Sequence, residues 1–197
     1  MIMTMPHVVL LDINEKMTDA LDKQFGEIDG VEIATSDFGE FMCAHPEVDG
    51  IVSPANSFGL LTGGYDKAIR DYFGKALQDA VRAKILSDYF GEQTVGTCIV
   101  VDIPNAPGKK LLHTPTMRTP SVIRDHQVVY QCMRSALIAA LANDIKCMIV
   151  PAFGGSAGRV PHEVIAFNMR LAWDQIREQL QKPYVATFRT AKNPIRE

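Results

Sequence analysis

Residues 48–69, VDGIVSPANSFGLLTGGYDKAI, constrain the fold more than any other stretch of this chain. Gly50-Ile51-Val52 is a short apolar strand signal, and Pro54 ends it. A polar segment, Ala55-Asn56-Ser57, leads into the loop Gly59-Leu60-Leu61-Thr62-Gly63-Gly64. After Tyr65-Asp66 the apolar residues Ala68, Ile69, Tyr72, Phe73, Ala76, Leu77, Ala80 and Val81 fall at helical spacing. A strand feeding a glycine-bearing loop that opens a helix is a way to build an anion site. The glycines let backbone approach the ligand, and the first helical N–H groups face its negative charge. Asn56 and Asp66 bracket this loop with an amide and a carboxylate, which suits a ligand carrying both phosphates and sugar hydroxyls. Two local roles compete with that reading: Asn56 forming an Asx-turn, and Asp66 capping the helix.

Composition narrows the classes. The chain has 197 residues, 47% of them hydrophobic, enough for one well-cored domain and a tight fit for two. A net charge of -3 and a pI near 6.0 argue against nucleic acid as a partner. Its longest apolar runs are short and interrupted by charge or proline, so no membrane span is expected. The N-terminus has neither a basic leader region nor a small-residue cleavage site, so no signal peptide is expected. Cys43, Cys98, Cys132 and Cys147 are far apart and form no C-x-x-C or Cys/His cluster. Reduced, buried thiols in a cytoplasmic protein, with no bound metal, are the expectation.

In chain order, 7–11 (HVVLL) reads as a buried strand, followed by a helix with the stripe Ile13, Met17, Ala20, Leu21 and Phe25. Residues 31–34 (VEIA) are a second strand, so 1–34 forms an N-terminal βαβ portion. Asp12, at the end of the first strand, is expected to cap the helix; a sugar-binding role is the alternative. Asp37 ends the second strand region, and the segment with His45 and Pro46 is expected to be linker. One long helix should run from Gly64 to about residue 88. Residues 94–101 and 110–114 read as a hairpin around the Asn105-Ala106-Pro107-Gly108 turn. A helix through Met133 to Leu141 precedes a strand over 145–151. A second glycine-rich loop, 153–160, opens a last helix at Pro161-His162-Glu163. The basic tail, 182–197, is expected to add an edge strand over 184–188. The whole, 1–197, is expected to be a single domain: a three-layer α/β/α sandwich with a central mixed sheet. Ligands of such sheets bind at the carboxyl ends of the strands, where the two glycine loops and Asp37 all fall.

Two loops, VDGIVSPANSFGLLTGGYDKAI and IVPAFGGSAGRVP, together with LLHTPTM, resemble the macro domain, an ADP-ribose-binding module. The resemblance spans roughly residues 31–180. It implies that Asp37 and Phe38 read adenine, the carboxylate accepting from the exocyclic amine. It further implies that Asn56 contacts the distal ribose, that Gly63 and Gly64 lie beneath that ribose and its phosphate with Ala55 and Tyr65 as further ligand contacts, and that Asn56 and Asp66 serve catalysis, Asn56 orienting the ribose and Asp66 activating water. Gly154, Gly155, Ser156, Ala157, Gly158 and Arg159 would cradle the diphosphate. No metal or cofactor is implied. Three departures bear on turnover more than on binding. Gly154-Gly155-Ser156 stands where many members have Ser-Thr-Gly. Gly158 replaces a shielding aromatic, and Tyr65 replaces a small aliphatic residue, either to shield the ribose or to pack. The implied function is binding of ADP-ribose or a derivative, with two outcomes open. One is hydrolysis at the distal ribose of an ADP-ribosyl, O-acetyl or 1''-phosphate group; the other is a non-catalytic reader of an ADP-ribose-derived signal. ADP-ribosylated protein is the implied macromolecular partner. His113 and His162 are weighed as general bases and Arg118 as a phosphate contact, each against a structural or solvated role.

Overall fold

A computed structural model describes residues 4–183. The elements in chain order are β1 (His7–Asp12), α1 (Glu15–Phe25), β2 (Val31–Thr35), α2 (Phe38–Ala44), β3 (Gly50–Ser53), α3 (Gly64–Phe73), α4 (Lys75–Tyr89), β4 (Ile99–Asp102), β5 (Lys110–His113), α5 (Gln127–Ala142), β6 (Cys147–Pro151) and α6 (His162–Gln181). They build one six-stranded sheet in the order β2-β1-β6-β3-β5-β4. Every neighbouring pair is parallel except β4 with β5, so the sheet is mixed, as the hairpin pattern implied.

Side-chain alternation divides the core into two layers. Val8 and Leu10 of β1, Met148 and Val150 of β6, Val52 of β3 and Leu112 of β5 pack with α1, α5 and α6. Val9, Leu11, Ile149, Ile51 and Leu111 face the other way, onto α2, α3 and α4. The central strands are buried on both faces, which is why they read as continuous apolar runs. Each fully buried Leu, Ile or Val stabilises by about 1.5–3 kcal/mol. Because β1, β2, β3, β5 and β6 run the same way, their carboxyl ends meet at one edge of the sheet.

Several expected boundaries are corrected. Residues 38–44 are not linker but helix α2, capped by Asp37, whose Oδ1 accepts from the N–H groups of Gly39 (2.7 Å) and Glu40 (3.3 Å). The single long helix is two: Gly74, at φ +90°, separates α3 from α4. The strand expected over 94–101 begins only at Ile99, because the Thr97 N–H and hydroxyl both return to the Thr94 carbonyl in a turn. Asn14, not Asp12, caps α1 by accepting from Lys16 N–H, while Asp12 Oδ1 accepts from Asn14 N–H at 2.9 Å. Pro161 is the cap of α6 rather than its first residue. Among the four free cysteines, Cys132 and Cys147 are buried as expected, but Cys43 is exposed and Cys98 half-buried. The edge strand expected over 184–188 lies outside the described residues. No helix among the described residues is long and apolar enough to cross a membrane.

Candidate functional site

The strand ends open into a cleft of about 610 Å³, within the range of small-molecule sites. Its lining brings together residues far apart in the chain: Asp12 after β1, Asp37 and Phe38 after β2, Ala55 and Asn56 after β3, Gly63 to Asp66 at the start of α3, and Gly154 to Ala157 after β6. Gly158 and Arg159 are not among the lining residues. No lysine or arginine lines the cleft among the described residues, so attraction for an anion falls to helix ends and backbone N–H groups.

Asn56 does adopt the Asx-turn. Its Oδ1 accepts from Phe58 N–H (3.2 Å) and Leu60 N–H (3.3 Å), and its Nδ2 donates to the Leu60 carbonyl (2.9 Å). These bonds shape the loop and leave one amide hydrogen unused. The loop is braced from outside by residues 114–118. Ser57 N–H donates to the Met117 carbonyl, and the Thr116 hydroxyl donates to the Pro54 carbonyl at 3.1 Å.

Asp66 does not cap α3, whose cap, Gly63, makes no side-chain bond. Its half-buried side chain lines the cleft and accepts a 2.7 Å hydrogen bond from the fully buried Ser53 hydroxyl. Burial raises its pKa to about 7, against the opposing pull of the Ser53 bond. Ser53 is a contributor that the sequence reading missed. Its only signal was a hydroxyl ending an apolar strand. Tyr65 packs its ring edge-on against Phe38, with centroids 5.3 Å apart, so packing accounts for the aromatic at that position. Burial, with Asp66 and Asp12 nearby, pushes its phenol well above the ordinary range.

The second loop closes on itself. Val160 N–H donates to the Gly154 carbonyl, and Ile123 N–H donates to the Gly158 carbonyl at 2.9 Å. A Cβ on Gly158 would stand 2.5 Å from the Gly154 carbonyl oxygen, so that glycine serves a close backbone approach. Arg159 points to solvent. Gly155, Ser156 and Ala157 remain at the cleft.

The three secondary candidates separate. His113 is buried away from the cleft lining, with Nδ1 2.7 Å from Gln93 Oε1. Since Gln93 Nε2 donates to the Thr97 and His113 carbonyls, Oε1 is the acceptor and His113 Nδ1 carries the proton. Burial lowers its pKa to about 3, so it stays neutral. Arg118 is engaged by Glu92 at 2.6 and 2.9 Å and lies over the Phe58 ring. His162, at the start of α6, lines the cleft and faces Asp12. Asp12 itself is half-buried in the cleft wall, its pKa raised by burial.

An uncharacterized protein of Aquifex aeolicus is 31% identical over 124 residues, covering 62% of this chain and 71% of its own length. One from Aeropyrum pernix is 22% identical over 129 residues, covering 66% of this chain and 65% of its own length. Among solved structures, an Oceanobacillus iheyensis macrodomain with ADP has a TM-score of 0.55 at 22% identity, covering 69% of this chain and 71% of that one. The macrodomain of Mycobacterium tuberculosis DarG has a TM-score of 0.56 at 19% identity, covering 66% and 84%. A Trypanosoma brucei macrodomain in complex with ADP has a TM-score of 0.50 at 24% identity, covering 66% and 53%. The family model described as Macro domain matches residues 52–167, more than half of the sequence and both glycine loops, and this chain belongs to that family.

Proposed function

We propose that the cleft binds ADP-ribose or a close derivative, carried by free nucleotide or by an ADP-ribosylated protein. The observation that carries this reading is the convergence of three strand ends on one cleft: Asp37 and Phe38 at one end, Asn56 and Asp66 at the other, and residues 154–157 between. Asp37 reads the base, the second loop takes the diphosphate, and Asn56 orients the distal ribose. The ADP found in the Oceanobacillus and Trypanosoma macrodomains supports a nucleotide diphosphate as the core of the ligand. A cytoplasmic location fits the four free cysteines.

Asp66 favours a hydrolytic role in addition to binding. A carboxylate beside an anion weakens binding, and its presence is accounted for if it works in the transition state. With its pKa raised to about 7 it lies close to neutral pH and suits general-base chemistry. It would take a proton from a water that attacks the anomeric carbon of an ADP-ribosyl group, the acyl carbon of an O-acetyl ester or the phosphorus of a 1''-phosphate, releasing the protein, acetate or phosphate.

Calorimetry with ADP-ribose, AMP and ribose 5-phosphate tests the binding reading; micromolar affinity for ADP-ribose is expected. Gly63→Glu is the matched control. Gly63 has extended backbone that any residue adopts, and a Cβ there meets no heavy atom within 4 Å. The variant should fold yet lose binding through charge and bulk, and retained affinity would overturn the site. Hydrolysis is tested with ADP-ribosylated protein, O-acetyl-ADP-ribose and the 1''-phosphate. Asp66→Ala should keep affinity within about tenfold and lose roughly 10²–10⁴ in turnover. If wild-type protein leaves all three substrates intact while binding ADP-ribose, the protein is a reader.

A further inference from the structure

The order of strands in the sheet sets the order of contacts along the cleft. The strands β2, β1, β6 and β3 are successive neighbours. The chain leaving β2 carries Asp37, that leaving β6 carries the 154–157 loop, and β1 ends between them at Asp12. Strands lie about 4.8 Å apart, so Asp12 stands one strand from each. The β1–β2 edge is tied at this point: Asp12 pairs in register with Thr35, and Ser36 N–H donates to the Asp12 carbonyl at 3.2 Å. A nucleotide with its base at Asp37 and its phosphates on the second loop must carry its first ribose across the end of β1.

Asp12 suits that position chemically. Its Oδ1 is held by the Asn14 N–H at 2.9 Å, which orients the carboxylate and leaves the other oxygen for a further donor. The group is half-buried, no lysine or arginine lines the cleft among the described residues, and the imidazole of His162 is the side chain that it faces. A partly desolvated carboxylate with so little compensation in a cleft marks a ligand contact. Asp12 also lies outside residues 52–167, so the family match says nothing about it.

We infer that Asp12 accepts hydrogen bonds from the 2′- and 3′-hydroxyls of the ribose next to the base, a contact that rests on the nucleotide reading of the cleft. A vicinal diol offers two O–H donors to a carboxylate, and charge-assisted bonds of this kind are strong. The same carboxylate repels a phosphate on the 2′-oxygen. Asp12 therefore selects unphosphorylated ribonucleotides over both their deoxy and their 2′-phosphorylated counterparts.

The test is calorimetry of ADP, 2′,3′-dideoxy-ADP, ADP-ribose and 2′-phospho-ADP-ribose against the wild type, Asp12→Asn and Asp12→Ala. Asp12→Asn keeps an acceptor for the Asn14 N–H and so guards against a local folding defect. Wild-type protein is expected to prefer ADP over its dideoxy analogue by about tenfold or more, and the preference should fall to about twofold in Asp12→Ala. The 2′-phosphorylated ligand should bind the wild type about tenfold more weakly than ADP-ribose and regain affinity in Asp12→Asn. An unchanged hydroxyl preference in both variants, or none in the wild type, overturns the contact while leaving the nucleotide site standing. Failure of the wild type to bind either ADP or ADP-ribose overturns the nucleotide site and the contact with it.

Discussion

The Asp37 carboxylate that caps α2 is also the one proposed to read the base. Its Oδ1 caps α2 through Gly39 and Glu40, and the other oxygen takes no part in the cap. Asparagine at this position preserves the cap while removing the charge. Asp37→Asn is therefore expected to weaken ADP-ribose binding by about 1–3 kcal/mol with little change in melting temperature. Ribose 5-phosphate, lacking a base, should be unaffected. Asp37→Ala should lose the same affinity and, in addition, about 1 kcal/mol of stability. Equal losses for the two ligands, measured by calorimetry, would remove Asp37 from the base site. Asp37, Asn56 and Asp66 were legible as site candidates because each sits beside a strand or helix boundary that the local pattern reveals. Ser53 was not, because its bond to Asp66 spans 13 residues and exists only once α3 has packed on the sheet.

At the scale of elements, the break at Gly74 shows how a local pattern can hide a boundary. Ile69, Phe73, Leu77 and Val81 keep a four-residue spacing across it, so both helices bury one continuous stripe. The backbone nevertheless turns through φ +90°, where an L side chain is disfavoured. A Cβ on Gly74 would meet only Asn105 Nδ2, at 3.5 Å, so the cost of adding one is conformational rather than steric. Gly74→Ala is expected to lower stability by about 1–2 kcal/mol in chemical denaturation, with ADP-ribose affinity unchanged. A neutral substitution would mean that the two helices can merge. The short helix α2 escaped notice for a different reason. Its start signal, Asp37 followed three residues later by Glu40, is present, as is the Phe38, Phe41 and Met42 stripe. Seven residues interrupted by Gly39 give too short a period to distinguish a helix from a polar connection.

For the whole molecule, the buried His113 and the half-buried Asp66 pull the pH dependence of stability in opposite directions. His113 has a folded pKa of about 3 against 6.5, so between those values the unfolded chain binds more protons and stability falls as the solution is acidified. Asp66 has a folded pKa of about 7 against 3.8, so in that window the folded chain binds more protons and stability falls as pH rises. Over pH 4–6.5 the two slopes oppose each other. Asp66→Asn keeps an acceptor for the Ser53 hydroxyl and removes the ionisation. It is expected to be more stable than the wild type at pH 8, by about 2 kcal/mol once contact with the cleft is allowed for. That gain should shrink through pH 7 and vanish near pH 3. Melting curves across pH 3–8 measure it, and a constant difference at all pH values would show that Asp66 does not titrate as described.

What the sequence determined by itself is everything carried by short-range pattern. The apolar strand runs, the two glycine-bearing loops opening helices, the hairpin around residues 105–108 and the alternation of strand and helix follow from local sterics and burial, and with them the fold class. Tertiary structure alone decided which ends meet. Strand β6 enters between β1 and β3, so the loop after residue 151 lands between Asp37 and Asn56. The same packing turns Gly158 and Arg159 away from the cleft and seals His113 against Gln93. It places Asp12 at the strand end that a bound ribose would cross. Pairing between distant strands depends on non-local contacts and loop closure, and no window of sequence encodes it.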